Sequence, residues 1–186
     1  ENSDQILGLE ENVESTMENA PEMIKRELST EEPMDHGSDL IVLYLKAPED
    51  SPYSGYELLQ ALLSAGLRYG EQQVFHRYES KTTRGNVLFS VSSAVEPATF
   101  DLPRMGGFST PALCLYFNLH QVSEPMQVFE MLLHTAGQLS EDLGGKVLDS
   151  SRELLTKEMV REICLHVHRL EKQVNNFDLF VDTAAK

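Results

Sequence analysis

Six histidines, two cysteines and thirty aspartates and glutamates are the side chains with which this chain could hold a metal or move protons. Their spacing argues against both. A metal site on one helix needs ligands three or four residues apart, so that they share a face. His166 and His168 are two apart on a predicted helix and point about 200° apart around its axis. His76 sits beside Arg77 at the end of a predicted strand, and His134 falls among the core positions of a predicted helix. All six histidines read as solvated or packed. Cys114 and Cys164 have no zinc-like spacing and lie inside apolar patterns. They read as buried free thiols, which suits a reducing compartment. No G-x-S-x-G, P-loop or G-x-G-x-x-G occurs, and Gly106-Gly107 and Gly144-Gly145 read as turn glycines. Glu124, Asp142, Asp149 and Glu153 are scattered over predicted loops and helix ends. The expectation is a protein that is not an enzyme and takes no metal and no cofactor.

Charge narrows the partners. The net charge is −15. Residues 1–38 hold 11 acids and 2 bases, and residues 39–186 hold 19 acids and 13 bases. Nucleic-acid binding relies on a basic footprint, which this balance lacks. Residues 1–38 are rich in Glu, Asn and Ser and broken by Pro21 and Pro33. A segment so poor in apolar surface does not offset the entropy of ordering, so an acidic disordered linker is expected. Within it, Ile6, Leu7, Leu9, Met23, Ile24 and Leu28 are candidate docking spots. No apolar run approaches the ~20 residues of a membrane helix, and there is no signal peptide. Because the chain starts at Glu1 rather than Met, it is expected to be a fragment, with any membrane anchor upstream.

Binding rather than catalysis then depends on the elements. Side chains alternate along a strand. In Val87–Ala94, Val87, Phe89 and Val91 fall on one side, and Leu88, Ser90, Ser92 and Ala94 on the other. The first side is bulky and suits a core; the second is mostly small and suits a floor. Pro97 ends the pairing, since it has no N–H to donate. Asp39–Ala47 is apolar on both faces, with Ile41, Leu43 and Leu45 on one and Leu40, Val42 and Tyr44 on the other. A second strand is predicted over Gly70–Tyr78, with Gln72, Val74 and His76 on one side, and residues 79–86 make its hairpin turn. Pro111–Leu119 is a further strand, with Leu113, Leu115 and Phe117 opposed to Cys114, Tyr116 and Asn118. Lys146–Asp149 and Arg152–Leu155 are two short ones.

Three helices are predicted. Ser54-Gly55-Tyr56-Glu57 is a capping box that opens the first, which stops near Gly66. Pro125 opens the second, with Met126, Phe129, Leu132, Leu133, Ala136, Leu139 and Leu143 as its stripe. Thr156 caps the third, with Met159, Ile163, Val167, Leu170 and Val174 inward. Residues 175–186 are expected to be a flexible tail, with Phe177, Leu179 and Phe180 either packing back or trailing.

Helices are too sparse between these strands for a doubly wound sheet. The economical packing is α+β: a six-stranded, mostly antiparallel sheet of split β-α-β type with three helices on one face. The helices cover the face of Ile41, Leu43, Phe89, Leu113, Leu115 and Phe117. The other face is left bare, and an exposed apolar sheet face usually signals a partner.

Four blocks carry a resemblance: V-F-H-R-Y at 74–78, L-F-S-V-S-S-A-V-E-P-A-T-F-D at 88–101, F-S-T-P-A-L at 108–113 and G-G-K-V-L-D at 144–149. In this order they resemble the C-terminal domains of the ZipA family, bacterial cell-division proteins that bind the tail of FtsZ. The match covers roughly residues 39–173, giving a peptide-binding domain over 39–174. The resemblance implies a six-stranded sheet backed by three helices, with the C-terminal peptide of FtsZ on the open face. It also implies an upstream anchor in the inner membrane and a location on its cytoplasmic side, at the division septum. Leu40, Val42, Gln72, Val74, Ser92, Ala94, Cys114 and Tyr116 would form the groove, and alternation adds Tyr44. Gln72 and Ala94 stand where relatives have methionine, Tyr116 where they have phenylalanine, and Glu96 replaces a lysine near the rim. Fewer methionines imply less adaptable packing, and Glu96 is expected to repel an acidic peptide, so specificity should differ.

Two other classes stay open on the residues alone. An RNA-binding sheet would need exposed aromatics and basic flanks, and only Tyr44 and Tyr116 are candidates. A small-molecule site would need convergent polar groups in the groove.

Overall fold

A computed structural model describes residues 39–80 and 85–184, with side chains described as far as Gln173. The expectations for 1–38, for the centre of the 79–86 turn and for the packing of Phe177, Leu179 and Phe180 fall outside those residues.

The first strand, β1 (Leu40–Lys46), leads through a short β2 (Tyr53–Ser54) into α1 (Gly55–Ser64). A hairpin of β3 (Arg68–Tyr69) and β4 (Phe75–Tyr78) follows, then β5 (Val87–Ser93), a short β6 (Ser109–Thr110) and β7 (Ala112–Asn118). The long α2 (Pro125–Leu143), β8 (Lys146–Leu148) and α3 (Lys157–Ala184) complete the order. Six strands form one sheet in the order β3-β4-β5-β7-β1-β8, and each pairing is antiparallel. The α+β layer therefore stands. β2 and β6 make a separate two-stranded ribbon that the sequence reading did not contain.

Alternation places the core as expected. Ile41, Leu43, Leu45, Phe89, Val91, Leu113, Leu115 and Phe117 point to one side. They meet Leu58 and Leu62 of α1, Phe129, Leu132 and Leu139 of α2, and Ile163 and Val167 of α3. Each fully buried leucine or phenylalanine contributes roughly 1.5–3 kcal/mol, so this layer dominates the stability of the sheet.

Five local expectations change. The second strand is shorter, because the chain reverses before it. Residues Glu71–Gln73 form a 3-10 turn with Gln72 and Gln73 at φ 58° and 59°, closed by the Gly70 N–H donating to the Val74 carbonyl. The sixth strand is accordingly Arg68–Tyr69, while Arg152–Leu155 contributes only a single bridge, Leu148 to Leu154. The turn between the two segments puts Arg152 at φ 63°, and the Asp149 N–H donates to the Glu153 carbonyl and the Leu155 N–H to the Val147 carbonyl. The register also slips between Arg77 and Tyr78, so Val87 is exposed rather than buried with Phe89. At the start of α1, the Ser54 hydroxyl donates to the Glu57 carboxylate at 2.8 Å instead of accepting from a helix N–H, so the side chains pair with each other and the box is not made. The last helix continues to Ala184, past the predicted end of its apolar stripe.

Candidate functional site

The face away from the helices is built in rows, because residues directly opposite in an antiparallel sheet share a side. In the central row Leu148 is opposite Tyr44, Tyr44 opposite Cys114, and Cys114 opposite Ser92. In the next, Val42 is opposite Tyr116, Tyr116 opposite Ser90, and Ser90 opposite His76. Leu40 lies one step along β1, opposite Asn118. Beyond Ser92 the Ala94 N–H donates to the Ala112 carbonyl at 2.9 Å, extending the floor past the strand.

Seven of the nine residues expected in the groove therefore lie on one surface: Leu40, Val42, Tyr44, Ser92, Ala94, Cys114 and Tyr116. Val42, Tyr44 and Cys114 form a second apolar cluster, with Leu40, Ala94, Tyr116 and Leu148 packed around it. The other two depart. Gln72 is exposed in the 3-10 turn with a left-handed backbone, away from any strand. Val74 is fully buried just ahead of β4 and belongs to neither apolar cluster.

The face is also not bare. Val42 is 7 % exposed, Tyr44 3 %, Cys114 2 % and Ser92 0 %, whereas Leu40, Ala94 and Tyr116 at the margins are half-buried. Neighbouring side chains account for part of this enclosure: Leu40, Ala94, Tyr116 and Leu148 pack against Val42, Tyr44 and Cys114. With Tyr44 enclosed, the exposed aromatic pair of an RNA platform is not present on this face.

Polar groups that sequence reasoning passed over sit in the same rows. His76 is buried, and its Nε2 lies 3.0 Å from the Glu71 carbonyl and its Nδ1 2.7 Å from the Ser90 hydroxyl. A carbonyl only accepts, so Nε2 carries the proton and Nδ1 accepts from Ser90. The signal was present in the alternation, which had put His76 on this side. The Tyr44 hydroxyl lies beside the Cys114 thiol and the Arg152 guanidinium without a hydrogen bond of ordinary geometry. Burial pushes the Tyr44 hydroxyl well above the usual tyrosine range. The Cys114 thiol is pushed up to about 12, by burial first, with the Tyr44 hydroxyl and Arg152 opposing. The Tyr116 hydroxyl also rises to about 12, by burial and then by its closeness to Cys114, partly offset by Ser90. Desolvation disfavours the charged form in each case, so these two hydroxyls and the thiol stay neutral over the physiological range.

Elsewhere the chemistry is structural. His134 is exposed on α2 rather than in the core, and it lines a depression with Leu63, Arg68, Arg77 and Glu130 on the helix side of the sheet. Arg77 is tied there by donating to the Ala65 carbonyl at 2.7 Å. Asp149 is buried and accepts from the Glu153 N–H at 2.9 Å, which fixes the turn before α3. Among the described residues no group of three or more histidines, cysteines or acids is placed to hold a metal ion. Nor is any helix among them long and apolar enough to cross a membrane.

Comparison with known proteins gives the same direction. A family model described as the ZipA C-terminal FtsZ-binding domain matches residues 39–166. Among similar curated proteins, the cell division protein ZipA of Shewanella woodyi is 38% identical over 140 residues, covering 75% of this chain and 44% of that protein. ZipA of Ectopseudomonas mendocina is 35% identical over 135 residues, covering 73% of this chain and 50% of that protein. ZipA of Pseudomonas fluorescens SBW25 is 33% identical over 156 residues, covering 84% and 54%. The chain spans about half the length of the curated relatives it matches.

Proposed function

Because the chain belongs to the family of ZipA C-terminal FtsZ-binding domains, we propose that its second sheet face receives the C-terminal peptide of FtsZ. The observation that carries this reading is the co-facing apolar cluster of Val42, Tyr44 and Cys114, ringed by half-buried Leu40, Ala94 and Tyr116 and lying on the side away from the helices. A peptide disordered when free would lay an apolar stripe on this floor. Three anchors at about 2 kcal/mol each give roughly 6 kcal/mol gross, and ordering the peptide costs roughly 2–5 kcal/mol. Rim and backbone contacts supply the remainder, so the affinity is about micromolar, near −8 kcal/mol. Many such weak contacts to a polymer would combine by avidity.

In the whole protein the domain would tether FtsZ polymers to the inner membrane at the septum. A membrane anchor preceding the domain and the acidic stretch of residues 1–38 as a spacer belong to this reading. Gln72 has no part in the groove, given its place in the turn. Val74, fully enclosed just ahead of β4, does not line it.

The test is fluorescence anisotropy of a labelled FtsZ C-terminal peptide from the same organism, titrated with residues 39–186 and with 1–186. Saturable micromolar binding is expected, and Tyr116→Asp should abolish it while thermal melting stays cooperative. Normal binding by Tyr116→Asp overturns the assignment of the face. Weaker binding by 1–186 than by 39–186 would show that the first 38 residues compete for it.

A further inference from the structure

The second face does not end at its apolar cluster. Lys46 lies two residues beyond Tyr44 on β1, so both side chains turn to the same side. Lys146 stands directly opposite Lys46 on β8, and Ala112 stands opposite it on β7. The next row therefore runs Lys146, Lys46, Ala112 and, through the bond from the Ala94 N–H to the Ala112 carbonyl, Ala94. Both lysines are exposed. Residues directly opposite in an antiparallel pair have Cβ atoms about 5 Å apart, and like charges so placed repel each other. Among the described residues neither ammonium group has an ion pair to neutralise it. Arg152, also exposed, lies beside the Tyr44 hydroxyl in the adjoining row. Cations thus gather at one end of an apolar floor, although residues 39–186 hold 19 acids and only 13 bases.

We propose that Lys46 and Lys146, with Arg152 beside them, form an anion-binding end to the groove and select a peptide that carries acidic residues next to its apolar stripe. The inference rests on the peptide-receptor reading of this face. Unlike the enclosed central row, the lysines are open to solvent, so a peptide lying on the face reaches them without opening the fold. An unneutralised like-charge pair destabilises the free domain, and a carboxylate placed between the two ammonium groups relieves it. Residues on one side of a strand recur about every 7 Å. The lysine row is therefore about 7 Å from the Tyr44 row and about 14 Å from the Val42 row. An acid of the peptide falls about two to four residues from an apolar anchor if the peptide is extended, or about five to nine if it is helical. Glu96 follows Ala94 by two residues, at the β5 end of the lysine row, and favours acids on the β1–β8 side. This fixes the direction of the peptide: acidic residues toward Lys46, apolar ones toward Leu40. An anionic membrane fits less well. An extended negative surface meets the excess of acids over the whole domain, whereas a peptide meets this row alone.

The test is the anisotropy titration of the full chain with the labelled FtsZ peptide, repeated with a peptide whose Asp and Glu are changed to Asn and Gln. Lys46→Gln and Lys146→Gln should each lose roughly twofold to fivefold in affinity, and the double variant more. Their melting temperatures should be unchanged or raised, because the repelling pair is gone. The wild-type chain should bind the neutralised peptide about as weakly as the double variant binds the native one, and the double variant should show no further loss. Higher salt should weaken binding to the wild type more than to the double variant. A double variant that binds the native peptide as tightly as wild type overturns the proposal. So does a neutralised peptide that binds the wild type undiminished. Vesicles of anionic phospholipid that hold the wild-type chain but not the double variant, with peptide affinity equal in both, would assign the lysines to a membrane instead. Absence of binding by the wild-type chain removes the receptor reading and this inference together, whereas binding that ignores the lysines removes this inference alone.

Discussion

Tyr44 and Cys114 stand directly opposite each other across β1 and β7, and both are enclosed. Two weak acids in contact in a dry row both keep their protons far beyond their ordinary range.

Alkaline stability follows from that pair and from Tyr116. In the unfolded chain a cysteine thiol ionises near pH 9 and a tyrosine near 10, while in the fold Cys114 and Tyr116 ionise only at about 12. Above pH 9 the unfolded state therefore binds fewer protons than the native state, and stability falls as pH rises. Each group contributes a slope of up to about 1.4 kcal/mol per pH unit. The stability is fully present below pH 9 and is lost progressively between pH 9 and 12. Urea unfolding at pH 7, 9 and 10.5 should show a falling midpoint, and Cys114→Ala should flatten the fall between pH 9 and 10. An unchanged slope in that variant would place the alkaline loss elsewhere.

Thiol labelling separates the two cysteines. Cys114 is enclosed, and Cys164 on α3 is half-buried. Burial raises the Cys164 thiol too, with Glu130 beside it adding to the rise. At pH 8 a maleimide should modify Cys164 first, slowly, and leave Cys114 until the protein unfolds. Mass spectrometry of tryptic peptides reads the order, and early loss of Cys114 would contradict the enclosure.

His76→Leu should destabilise the domain by about 1–3 kcal/mol, because it leaves the Ser90 hydroxyl and the Glu71 carbonyl without their partner. The check is urea unfolding. His76→Gln, which keeps a polar group of similar reach, should recover part of the loss.

Gly145→Ala should cost more than a surface substitution. Gly145 has φ 104°, and a Cβ there would run into the Lys46 carbonyl and the Tyr53 hydroxyl. That hydroxyl donates to the Gly144 carbonyl at 2.8 Å and ties β2 to the end of α2. A loss of about 1–3 kcal/mol is expected, read as a lower melting temperature. A variant as stable as wild type would mean that this junction yields easily.

Val74→Asp shows how the structure changes the choice of probe. Alternation put Val74 on an accessible face, where an aspartate would test binding alone. In the fold it is fully enclosed, so the substitution buries an unpaired charge and should unfold the domain. Tyr116, at the half-buried margin, is the residue that separates binding from folding.

What the sequence determined by itself is the set of long elements and the side to which each strand turns. Period two in β1, β5 and β7 and period 3.6 in α2 and α3 are properties of local backbone geometry, and burial of one apolar face per element leaves one way to stack them. That is why Leu43, Phe89 and Leu115 were legible as core, and why Tyr44, Cys114 and Ser92 were legible as neighbours on the opposite face. Short segments were not legible in this way. Whether Glu71–Gln73 continues a strand or turns depends on the hairpin it closes, and whether Arg152–Leu155 pairs depends on a neighbouring edge; neither leaves a period in the sequence. Nor does alternation report depth. Only the tertiary structure decided that Val74 is fully enclosed ahead of β4 and that the central row of the second face is enclosed. Those properties depend on what several strands bring together in space, and no single strand encodes them.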